Sequence, residues 1–117
     1  MQRKERAVEL FSQKFNCSQA VFAAYRQVDT LDEETALKIA TVFGAGVACT
    51  GGELCGAVSG ALMAISVRYG RGNREDIEAK VKTYELGKRF TTAFKSRMGS
   101  CSCAAVLGLD IGVPGNL

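Results

Sequence analysis

Leu54-Cys55-Gly56-Ala57-Val58-Ser59-Gly60-Ala61-Leu62-Met63-Ala64-Ile65-Ser66-Val67 carries no charge, and its reading decides the fold. Gly56, Gly60 and Ala64 recur every four residues, which places them on one face of a helix. That face is nearly smooth, so a neighbouring backbone can approach it closely. Such spacing is known from membrane helices, but this run falls well short of the roughly 20 apolar residues that span a bilayer. It predicts a helix over 54–69, ended by Gly70, at the centre of an all-α bundle and making room for the segment that carries Cys17 or Cys103.

Helical periodicity continues on both sides. Ala7, Leu10, Phe11 and Phe15 share one face of a first helix from Arg3 to Phe15. Asn16 breaks and recaps the chain, and Ala20, Val21, Ala24 and Val28 continue as a second helix. Thr30-Leu31-Asp32-Glu33 reads as a capping box for a third, with Ala36, Leu37, Ala40 and Phe43 facing inward. Gly44 to Gly52 is a glycine-rich loop. Asn73 is the expected cap of the longest helix, whose apolar stripe is Ile77, Val81, Tyr84, Phe90, Phe94 and Met98, and which Gly99 stops. A last short helix is expected from Ser102 to Leu107, before Gly108 and an irregular tail with Pro114. No segment alternates like a strand, so the expectation is one domain over residues 1–117, with five to six helices and no sheet.

Composition bounds the chemistry. The 117 residues are 47% hydrophobic with net charge +3 and no histidine. Without histidine, the usual serine and cysteine hydrolase dyads, His-ligated zinc and haem ligation through His are excluded. The basic residues near 68–74 and along 80–97 are interrupted by Glu75, Asp76, Glu78 and Glu85, which reads as a solvated face and not a nucleic-acid surface. The charged start of the chain lacks the apolar centre of a signal peptide, so a cytoplasmic location is expected, with no membrane partner.

In a reducing compartment, five cysteines speak for metal or redox chemistry more than for structural disulfides. Cys17, Cys55 and Cys103 each fall at the predicted start of a helix. Unpaired N–H groups and the positive dipole end there favour thiolate. No C-x2-C pair occurs, so a cluster would be assembled from distant helices. Cys17, Cys55 and Cys103, with Cys49 or Cys101, could hold an iron–sulfur cluster or another thiolate-bound metal. Gly44, Gly46 and Gly56 would bring backbone amides to such a cofactor. Alternatively, Cys55 acts as nucleophile with Cys101 and Cys103 in metal-free thiol–disulfide exchange. A helical interaction module with merely buried cysteines stays open as a third reading.

Cys55-Gly-Ala-Val-Ser-Gly60 resembles the hallmark of the C_GCAxxG_C_C family of redox-active proteins, and the likeness covers most of the chain. Asn16-Cys17-Ser18-Gln19-Ala20-Val21 looks like the family's first cysteine segment, and Phe43-Gly44-Ala45-Gly46 like its glycine loop. Cys55 to Gly70 resembles its motif helix, and Gly99 through Cys103 to Leu107-Gly108-Leu109-Asp110 the segment with a later cysteine. The resemblance implies a helical domain with a cysteine-based redox role, and an iron–sulfur cluster as in cytochrome-linked relatives. It assigns family cysteine positions to Cys17, Cys55 and Cys103, and leaves Cys49 and Cys101 as local additions. The resemblance implies a further helix bearing another cysteine; if that cysteine is a family ligand, Cys49, Cys101 or a second subunit supplies it here, or the activity is lacking. The expected role is electron transfer with a redox partner protein, and the long fifth helix suggests a homodimer.

Overall fold

The computed structural model describes residues 2–103. Five helices follow one another: α1 (Arg3–Ser12), α2 (Cys17–Tyr25), α3 (Glu33–Ala40), α4 (Gly56–Tyr69) and α5 (Ile77–Met98), with one 3-10 turn at Thr41–Phe43. Among the described residues the only extended pairing is a single antiparallel bridge, Leu54 with Ser102. The fold is all-α, as the periodicity predicts. The short helix and tail expected beyond Cys103 lie outside the described residues.

Capping explains most boundaries. Asn16 and Gln19 form a reciprocal capping box on α2: the Gln19 amide donates to Asn16 Oδ1 at 2.8 Å, and the Asn16 amide donates to Gln19 Oε1 at 3.0 Å. The cap of α3 is Asp32, not Thr30. Its carboxylate accepts from the Thr35 amide and hydroxyl, while the Thr30 hydroxyl donates to the Gln27 carbonyl. Likewise α5 begins at Asp76, which accepts from the Ala79 amide; Asn73 instead holds the preceding turn through Glu75. Gly99, at φ 82, ends α5 in the left-handed conformation that glycine adopts without steric penalty.

Two helices are shorter than their patterns suggest. The chain turns out of α1 at Lys14, whose φ is 77. It leaves α2 at Arg26, whose side chain folds back to donate to the carbonyls of Ala23 and Leu31. Val28 therefore lies past the helix and is exposed.

The centre of the bundle is α2, not α4: it packs against α1, α3 and α4 together. Its Ala20, Phe22 and Ala23 join Leu10, Ala36, Ala40 and Ala64 in the main core. So many alanines allow backbones to close in on three sides. A second, smaller cluster joins Cys55, Val58 and Cys101, with Phe90 and Phe94 of α5 packed against it. The remaining α5 stripe does not face inward. Ile77, Val81, Tyr84 and Met98 are exposed, and no residue of α5 is fully buried.

Candidate functional site

The site is built where the start of α2 meets the start of α4. Cys17 is the first residue of α2, and Cys55 is the residue on which α4 is capped. Gly56 makes this meeting possible. A Cβ placed there would lie 2.2 Å from Cys17 Sγ and 2.9 Å from the Ser18 amide nitrogen. One turn further, a Cβ on Gly60 would meet the Ser18 carbonyl at 2.8 Å. The two glycines are where α4 admits the backbone of α2. Between them Ser18 and Ser59, both buried, pair through their hydroxyls at 3.3 Å.

Cys103 arrives by the extended bridge. The Cys55 amide donates to the Cys101 carbonyl at 2.6 Å, and the Cys103 amide donates to the Glu53 carbonyl at 2.9 Å. These bonds clamp 101–103 along 53–55, close beside the start of α4. Cys103 is almost wholly buried, and burial pushes its thiol pKa up. The neighbouring Cys55, Cys17 and Cys49 push it further the same way, because a second negative charge among them is disfavoured. A lowered pKa is the expectation from the sequence; burial and the crowded sulfurs raise it instead.

The fourth cysteine comes from an unusual loop. Residues 45–49 all have positive φ, from 53 to 74, and only Gly46 among them is a glycine. Left-handed backbone costs about 1–2 kcal/mol for each residue with a side chain, and β-branched Val47 is an outlier in that region. The turn is held from several directions. The Thr50 hydroxyl donates to the Gly46 carbonyl at 2.7 Å, and the Gly51 amide to the Ala45 carbonyl at 2.9 Å. Asn16 fills the space beside Gly44 and donates to the Thr41 carbonyl at 2.9 Å. Gly46 is pressed against Cys103: a Cβ there would stand 2.8 Å from the Cys103 Cβ. Backbone strain of this kind concentrates at functional sites. The strained turn carries exposed Cys49, and its Gly46 packs on buried Cys103.

Cys17, Cys49, Cys55 and Cys103 share one neighbourhood, while Cys101 packs with Cys55 and Val58 on the side of α4 that meets α5. The Cys101 sulfur turns toward α5 and makes a long contact, 3.9 Å, with the Thr91 carbonyl. All five are free thiols. Access is graded: Cys49 is exposed, Cys17 is half-buried and lines a small apolar cleft with Val8 and Phe11, and the others are buried. Among the described residues no three Cys, Asp or Glu side chains are grouped closely enough to hold a metal ion. Gly44, Gly46 and Gly56 serve here as points of close approach to Asn16, Cys103 and Cys17.

Asn16, Thr50 and the Ser18–Ser59 pair were not singled out as parts of the site by the sequence reading. Asn16 carried a signal, since a helix cap directly before a cysteine fixes that thiol's position. The serines carried a weaker one, as small residues beside Cys17 and at the motif helix's close-packed face.

No helix among the described residues is long and apolar enough to cross a membrane. A family model described as "Putative redox-active protein (C_GCAxxG_C_C)" matches residues 15–114. No curated protein and no solved structure matches the chain.

Proposed function

The chain belongs to the C_GCAxxG_C_C family of redox-active proteins, and from that membership we propose that its redox centre is a dithiol–disulfide site built from Cys17, Cys49, Cys55 and Cys103. The observation that carries this reading is the packing that gathers the cysteines: Cys17 presses on Gly56 beside Cys55, and Cys103 presses on Gly46 of the turn that carries Cys49. Cys49 is the outer thiol that a partner reaches, and Cys103 the inner one. With its pKa raised by burial, Cys103 keeps its proton at neutral pH and does not make the first attack on the partner; it acts second, as the resolving thiol.

In the oxidising direction the Cys49 thiolate attacks one sulfur of a partner's disulfide, and the partner's other sulfur leaves as a thiolate. Cys103, giving up its proton, attacks Cys49 in the mixed disulfide and releases the partner's second thiol. Two protein thiols lose two protons and two electrons, one S–S bond forms, and the partner's disulfide becomes two thiols. Cys101 takes no part.

The test is titration of the thiols against glutathione redox buffers. The wild-type chain should behave as one two-electron couple, lost in Cys103→Ser and Cys49→Ser and retained in Cys101→Ser. Retention of the couple in Cys103→Ser would sink the reading.

A thiolate-bound metal or iron–sulfur cluster is a second reading, favoured by the soft donor set and by a crowding that a cation would relieve. It requires the sulfurs to draw closer together than they stand. Iron, zinc and acid-labile sulfide analysis after anaerobic purification decides it: a stoichiometric metal that disappears in Cys103→Ser would displace the disulfide mechanism.

A further inference from the structure

Away from the thiols, an apolar cavity of about 530 Å³ opens between α2, α4 and α5. Ala57, Ala61 and Ala64 of α4 line it together with the rings of Tyr25, Phe90 and Phe94. That volume lies within the range of small-molecule sites, about 300–1,000 Å³. The small alanines leave room, and the aromatic side chains offer stacking surface to an aromatic body.

The charge at its end is one-sided. The Arg68 guanidinium lies 5.3 Å from the centre of the Tyr69 ring, and the Lys82 ammonium 4.8 Å from the same ring. Both Arg68 and Tyr69 line the cavity. Among the described residues neither cation has a carboxylate partner; the ion pairs are Arg6 with Glu9 and Glu33, Lys38 with Glu34, and Arg89 with Glu85. Arg68 therefore brings to the cavity a positive charge with no carboxylate partner among the described residues, and an anionic group seated there would complement it.

We propose that this cavity binds an aromatic anion, its rings among Ala57, Ala61 and the rings of Phe90 and Phe94, and its acid group at Arg68. The site is independent of the thiol chemistry and stands whether or not the dithiol reading holds. A ligand seated there would lie against Ala57, Phe90 and Phe94, which pack on Cys55 and Cys101.

Two dyes with the same rings test it: anilinonaphthalene sulfonate, which is anionic, and phenylnaphthylamine, which is neutral. The sulfonate should bind the full chain saturably with one molecule per chain and several-fold more tightly than the neutral dye. Arg68→Met, an exposed change that leaves the fold alone, should weaken the sulfonate by at least about threefold, the scale of one partly exposed charge contact. It should leave the neutral dye unchanged. Ala61→Phe should abolish both. Unfolding midpoints of both variants separate lost binding from lost folding. The proposal is overturned by equal affinity for the two dyes, by sulfonate binding that survives Ala61→Phe, or by one dye per two chains with Ala61→Phe changing the molecular mass. The last result would assign the cavity to a second copy of the chain.

Discussion

Helix α4 meets its two neighbours in opposite ways. Against α2 it presents Gly56 and Gly60, with no room for a single added carbon, and a buried serine pair seals the contact. Against α5 it presents larger side chains, leaves a cavity of about 530 Å³ on one side, and buries no α5 residue completely. One helix serves both contacts through different faces. The difference separates two demands: thiols that must sit at fixed positions need backbone-to-backbone packing, which is close-packed and unyielding. A face that admits a small molecule needs the reverse.

Gly60→Ala should break the tight side and give the largest effect. The new methyl meets the Ser18 carbonyl at 2.8 Å and the Phe22 amide nitrogen at 3.1 Å, both backbone atoms that cannot rotate away. Overpacking of this kind costs about 1–3 kcal/mol. Alanine's better helix propensity returns up to about 1 kcal/mol. A net loss of about 1–2 kcal/mol should appear as a lower urea midpoint with an unchanged slope. A neutral result would mean that α2 and α4 slide apart freely, and the account of fixed thiols would fail with it.

The second effect belongs to the same region and depends on pH. The Cys103 thiol is held above its ordinary value of 9.0 in the folded chain. Below that value both folded and unfolded chains keep the proton, and stability does not depend on it. Above it the unfolded chain releases the proton first, so stability falls as pH rises, until the folded thiol ionises too. One proton allows a slope of at most about 1.4 kcal/mol per pH unit. Urea midpoints measured from pH 8 upward should fall more steeply for wild type than for Cys103→Ser. Parallel curves would show that Cys103 is not sequestered.

How much of this contrast is legible in the sequence follows from the kind of signal each side uses. The tight side is written in residue size: Gly56 and Gly60 four apart with Cys55 just before them, and a cap at Asn16 with Cys17 just after it. The loop that delivers Cys49 is not, because Ala45, Val47, Ala48 and Cys49 announce no positive φ; tertiary bonds from Thr50 and Gly51 impose it. Nor does Cys-x-Cys spacing reveal that Cys101 faces α5 while Cys103 joins the other thiols. Periodicity also overstates α5, since it finds an apolar stripe without telling whether anything in the chain covers it. Ile77, Val81 and Tyr84 look like core positions and are exposed.

Gly87→Ala sharpens the comparison by reversing its sign. Gly87 lies within α5 where it faces α4, and an added methyl there meets only Leu62 Cδ2, at an ordinary 3.5 Å. The helix gains alanine's propensity without a clash, so stability should rise by about 0.5–1 kcal/mol. The same substitution in two glycines of adjoining helices then moves the urea midpoint in opposite directions. A loss at Gly87 would place the α4–α5 contact in the same class as the α2–α4 contact.

The smallest effect is expected at Val81→Lys. Val81 is 59% exposed, and neighbouring Ile77 and Tyr84 are similarly open, so the change removes little buried apolar surface in the single chain. Lysine suits an exposed helix position better than β-branched valine. Glu78 and Glu85, three residues before and four after, offset the added charge. The midpoint should therefore stay within about 0.5 kcal/mol of wild type. Measuring it at two protein concentrations adds a control on the open side of the molecule. A loss that appears only at the higher concentration would mean that a copy of the chain covers this stripe. A loss at both would mean that α5 is held by its own chain more firmly than its lack of any buried residue allows.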